Sequence, residues 1–126
     1  PPPPPPHPHP PPPPPTPLFP YTTLFRSRCI VGFSGVGQSR DPADPSVGEL
    51  QTLAVDPTYW RQGVGRLLTQ AAIEALRGTY ESAIVWTVAG HERGHAFYRA
   101  TGWSPLGLER AGGDEVAFGR ALSTAN

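Results

Sequence analysis

Two glycines, Gly63 and Gly65, stand where a strand must turn into a helix, within VDPTYWRQGVGRLL over residues 55–68. Glycine lets the backbone enter conformations closed to other residues and come close to a ligand. Backbone N–H groups at the start of a helix, added to its dipole, suit phosphate oxygens. A strand is expected to end at Val55, with a Pro-containing turn after it. The helix that follows is marked by Val64, Leu67, Leu68, Ala71, Ala72, Ala75 and Leu76, which recur at helical spacing as one apolar stripe. Arg66, Gln70, Glu74 and Arg77 fall largely on the other side, and Gly78 is expected to stop the helix as a C′ residue.

Residues 83–89 (AIVWTVA) form a nearly continuous apolar run, as in a strand covered on both faces. A second helix is expected over residues 92–101, ended by Gly102. Strand, glycine turn, helix, strand and helix in this order imply a βαβ unit with its ligand at the carboxyl end of the strand. Residues 39–47 (SRDPADPSV) read as a hairpin connection between two antiparallel strands.

These pieces resemble the GCN5-related N-acetyltransferase (GNAT) family over roughly residues 29–122. VGELQTLAVDPTYWRQGVGRLL looks like that family's fourth strand, pyrophosphate loop and third helix, and HAFYRATGW like its late helix. GFSGVGQSRD looks like its third strand and DEVAFGRAL like its closing strand. The resemblance implies an α/β (α+β) fold with a mixed, mostly antiparallel twisted sheet and flanking helices. It also implies acetyl transfer from acetyl-CoA to an amine of a small molecule or peptide. Backbone N–H groups around Gln62, Gly63, Val64, Gly65 and Arg66 would hold the pyrophosphate, and the backbone of Leu53, Ala54 and Val55 would pair with the pantetheine arm. Trp60 stands where the family usually has Arg or Gln, so weaker or rearranged binding is expected, with Arg61 as a candidate source of the missing charge. His91 stands where relatives often place an Asn against the pantetheine. Tyr98 would protonate the leaving thiolate, and Glu49, at the start of the motif strand, would act as the base.

His91-Glu92-Arg93-Gly94-His95 also spells HExxH, a zinc-hydrolase signature in which two His bind metal and Glu activates water. Glu109 or Glu115 would be the third ligand. The context weighs against a metal: His91 follows Gly90 at the end of a strand rather than lying inside a helix, and Gly94 weakens any helix there.

Fifteen of the first 20 residues are proline. Such a tract is polyproline II without a hydrogen-bonded core, and its functional reading is a ligand for SH3 or WW domains. LFPYTTLFRS, residues 18–27, looks instead like the translation of a sequencing adapter. Residues 1–27 are therefore expected to be a disordered, non-native leader, and residues 28–126 a partial GNAT domain without its first strands and helices. Resequencing across the codons for Ser27 and Arg28 checks this. Without those elements residues 30–35 would be an exposed sheet edge.

Ten basic and ten acidic residues leave no net charge, and no basic cluster suggests nucleic acid. A single cysteine, Cys29, excludes an internal disulfide, fits a reducing, cytoplasmic setting, and reads as a buried structural thiol. No stretch is long enough to span a membrane. Pairing with a second copy of the chain is left open by the sequence.

Overall fold

The computed structural model describes residues 21–26 and 28–122. Their elements run β1 (Tyr21–Arg26), β2 (Cys29–Arg40), β3 (Ala43–Val55), a 3-10 turn (Pro57–Tyr59), α1 (Val64–Arg77), β4 (Ser82–Val88), α2 (Glu92–Ala100), β5 (Ser104–Arg110), a second 3-10 turn (Ala111–Gly113) and β6 (Glu115–Ala121). The six strands form one sheet in the order β1-β2-β3-β4-β6-β5. Only β3 and β4 pair in parallel; the other neighbours are antiparallel. This is the mixed, mostly antiparallel α+β sheet expected from the sequence, with the β3-α1-β4 crossover at its centre.

Helix α1 lies on the sheet through Val64, Leu68, Ala72 and Leu76, with Thr69 and Ile73 buried beside them. Leu68 and Leu76 are fully buried, each worth roughly 1.5–3 kcal/mol relative to exposure. The apolar arc is rotated from the expected stripe toward Thr69 and Ile73, and Leu67 is left 55% exposed. The sheet reaches only one flank of the helix, and Leu67 points away from it. Gly78 closes α1 in a right-handed rather than left-handed conformation. The same side of the sheet takes α2: Tyr98, Trp103 and Phe118 join Leu50, Leu76, Val85 and Leu122 in one core cluster.

Three further expectations are corrected. Residues 21–26 belong to strand β1, which pairs with β2 from Tyr21↔Gly35 to Arg26↔Cys29, so residues 30–35 are not a sheet edge. The reason is local: after Pro20 the chain regains its N–H donors, and β-branched and aromatic residues favour an extended pairing. Residues 1–20 and 27 lie outside the described residues. Strands β2 and β3 continue through most of residues 39–47, leaving Asp41 and Pro42 as the turn. Cys29 is exposed, because it opens β2 at a corner of the sheet.

Candidate active site

Strands β3 and β4 pair only over residues 47–50 and 82–85, from Val47↔Ser82 to Leu50↔Val85. Beyond Leu50, β3 keeps its pairing with β2 as far as Gly32↔Val55. Beyond Val85, β4 keeps its pairing with β6 as far as Val88↔Glu115. Each strand follows a different neighbour, so the sheet opens between them. A cleft of about 780 Å³ lies at this opening, lined by β3 (Leu53, Ala54, Val55), the following loop (Tyr59, Trp60, Arg61, Gly63), α1 (Gly65, Arg66) and α2 with its cap (His91, Arg93, Gly94, Phe97, Tyr98).

The loop is shaped by its residues. Asp56 accepts a hydrogen bond from Thr58 N at 2.9 Å and sets the 3-10 turn. Arg61 and Gly63 then take left-handed conformations, with φ of 66° and 84°. At Gly63 the need is conformational, since a Cβ there would meet nothing within 4 Å. At Gly65 a Cβ would stand 3.4 Å from the Phe97 ring, an ordinary contact, so α2 packs close to the first turn of α1 without glycine being required there. The first intrahelical bond of α1 runs from Leu67 N to Gly63 O at 3.0 Å, and no side chain caps the helix. The N–H groups of Val64, Gly65 and Arg66 are thus directed at the cleft end of the helix without an intrahelical partner.

The electrostatics point one way. Arg61, Arg66 and Arg93 line the cleft, and among the described residues no acidic one does. A second groove, of about 420 Å³, also carries Arg66, Arg77 and Arg120. There Arg77 donates to Leu122 O and pairs with Glu74, and Arg120 donates to Thr101 O and Ala121 O, so those cations are largely spent on the protein.

The structure brings together in this cleft all the residues expected at the cofactor except Gln62 and Val64, which flank its lining, together with Tyr98. Tyr98 is 8% exposed, and burial raises its phenol above the usual value of 10.0. Two backbone acceptors at the opening are already occupied. Trp60 Nε1 donates to Val55 O at 2.9 Å, and Val88 O accepts from His91 N and His95 Nε2, each at 3.0 Å. Glu49 is not brought to the cleft. It sits in the closed half of the β3–β4 pair, opposite Ile84, and its carboxylate accepts from Arg40 N at 3.4 Å. The HExxH residues do not converge as ligands. His91 caps α2, with its ring against Gly94. His95 packs on Phe118 and is tied to the Val88 carbonyl. Among the described residues no group of three His, Cys, Asp or Glu could hold a metal ion. Arg93 was not singled out by the sequence, although a basic residue in the first turn of a helix, against the dipole, is a usable signal.

A model of the acetyltransferase (GNAT) family matches residues 2–103. The N-alpha-acetyltransferase RimI of Mycobacterium tuberculosis (strain ATCC 25618 / H37Rv) is 33% identical over 82 residues, 64% of this chain and 49% of that protein. The chain thus spans about half the length of this curated relative. A structure from Desulfovibrio desulfuricans assigned to the GNAT family superposes with a TM-score of 0.72 at 20% identity, covering 82% of this chain and 69% of the other. PaiA N-acetyltransferase from Thermoplasma acidophilum, solved in complex with coenzyme A, gives 0.68 at 16% identity, covering 80% and 59%. At these identities the structures show a shared fold.

Proposed function

The chain belongs to the GNAT acetyltransferase family, and from that premise we propose that it moves an acetyl group from acetyl-CoA to a primary amine. The observation that carries this reading is the opening of the sheet beyond Leu50 and Val85 directly beside an uncapped, arginine-flanked helix N-terminus. Acetyl-CoA supplies the activated thioester. The N–H groups around Gln62, Gly63, Val64, Gly65 and Arg66 hold its pyrophosphate, helped by the Arg61 and Arg66 guanidiniums. The backbone of Leu53 and Ala54 receives the pantetheine arm, while the Val55 carbonyl is committed to Trp60. His91 flanks that arm from the α2 side of the cleft.

Tyr98 delivers a proton to the departing sulfur. Its phenol is neutral at neutral pH and burial favours that form further, so it can donate a proton but not serve as a base. The amine must give up a proton before its nitrogen attacks. Glu49 lies on the closed half of the strand pair, so as base it would act only through intervening water. The M. tuberculosis relative is an N-alpha-acetyltransferase, which favours the α-amino group of a peptide as acceptor over a side-chain amine.

Thermal unfolding of the full chain with and without acetyl-CoA tests cofactor binding. Ligand at about a hundred times its Kd stabilises by about 2.7 kcal/mol. Acetyl transfer to a peptide with a free α-amino group, beside the same peptide blocked there but carrying lysine, tests the acceptor. An unchanged midpoint contradicts the cofactor reading, and equal transfer to both peptides contradicts the α-amino assignment.

A further inference from the structure

Both helices begin at the cleft without a side-chain cap; α2 carries the acidic Glu92 in its first turn, outside the cleft lining, and α1 carries no acidic residue there. The cap of α1 is Gly63 and that of α2 is His91, and neither cap bonds its helix through a side chain. Each helix then carries an arginine in its first turn, Arg66 in α1 and Arg93 in α2, and both arginines line the same cleft. A cation at the positive end of a helix is disfavoured by the dipole. Two such ends face one cavity with no acidic residue among the described residues of its lining; Glu92 offsets part of the charge at α2, and a ligand with more than one negative group would relieve the remaining field.

Arg93 is also held in place. Its guanidinium lies over the Trp60 ring at 5.0 Å from the centroid, and Trp60 is itself anchored by the 2.9 Å bond from its indole N–H to Val55 O. The stack links the loop after β3 to the first turn of α2. Among the described residues Arg93 is in no ion pair with a carboxylate. An arginine stacked on an aromatic face keeps the N–H donors at its edge free for an anion, and the stack limits the rotamer freedom that binding would otherwise remove.

We infer that Arg93 is a phosphate-binding residue supplied by α2, with Trp60 as its positioning residue, so that the anionic part of the ligand is gripped from both helices. This deepens the reading of the cleft as the acetyl-CoA site and rests on it. The ligand group in question is a phosphate of the cofactor rather than its pantetheine arm.

The test compares the affinity of the full chain for CoA and for pantetheine, which carries no phosphate. Arg93→Ala is expected to weaken CoA about tenfold, as for loss of one charge-assisted contact, and to leave pantetheine unchanged. The loss should shrink as salt is raised. Trp60→Phe, which keeps a ring but loses the anchoring N–H, is expected to weaken CoA by a smaller factor. Trp60→Arg in the Arg93→Ala background is expected to restore much of the affinity by returning a cation to the same mouth. Circular dichroism of each variant separates lost binding from lost folding. If Arg93→Ala is folded and binds CoA like the wild type, or weakens pantetheine equally, the assignment of Arg93 is overturned while the cofactor reading stands. If the wild type binds no CoA, both fall.

Discussion

Residues 47–50 of β3 and 82–85 of β4 lie in register, and Gly48, Leu50, Ala83, Ile84 and Val85 among them are buried, with Leu50 2% exposed. Residues 51–55 and 86–88 of the same two strands part company, and Val88 at the far end is 61% exposed. The chemistry of the chain does not explain this difference residue by residue, since both halves are rich in β-branched and apolar side chains. Partner choice explains it: β3 is held to β2 along its whole open half, and β4 to β6. The closed half is the more deeply buried, and the open half leaves the same backbone beside a cleft, the place proposed for the ligand. On the proposed reading, function comes from hydrogen bonds that the two strands decline to make with each other.

The comparison is broken most severely at the closed end. Leu50→Ala is expected to cost about 2–5 kcal/mol of unfolding free energy, measured by urea titration, while leaving the CoA affinity of the folded fraction unchanged. At the open end the sign of the split reverses. Tyr98→Phe removes only a hydroxyl, and should lower the turnover number by about a hundredfold with stability changed by less than about 1 kcal/mol. Gly63→Val forces a β-branched side chain into φ of 84°. It should cost about 1–2 kcal/mol of stability and also weaken CoA, because the loop carrying the N–H groups proposed to hold the phosphates must shift.

Alkaline pH sharpens the contrast further. Burial holds the Tyr98 phenol above 10.0, so its neutral form is favoured by the fold. Its contribution is fully present below pH 10 and is lost as pH rises through the folded value. Urea titrations at pH 9 and 11 should show a fall in stability that is smaller in Tyr98→Phe. The smallest effect is expected at Val88→Thr, within about 0.5 kcal/mol in stability, since that side chain is already in water.

Much of this division was legible in the sequence. Gly63 and Gly65 announced the junction, and the left-handed φ at Gly63 is a demand that glycine meets most readily. The apolar run over residues 83–89 announced β4, yet its pattern could not say where the strand would leave β3, because that depends on which neighbour each strand keeps. Leu67 fitted the helical period and is nonetheless exposed, since periodicity does not tell how wide a flank the sheet will cover. Glu49 was singled out by its position along β3, but its side chain belongs to the closed half. The Trp60–Arg93 stack joins residues 33 apart in the chain, and a sequence holds no local trace of such a contact.

The most direct test of the division between closed and open halves is a titration of the isotopically labelled chain with acetyl-CoA, followed by backbone amide NMR. The amides of Leu53, Ala54, Gly63, Gly65 and Arg66 are expected to shift, while those of residues 47–50 and 82–85 stay in place. Shifts centred on the closed half or on the Arg77–Arg120 groove, or none at Gly63 to Arg66, would contradict the account.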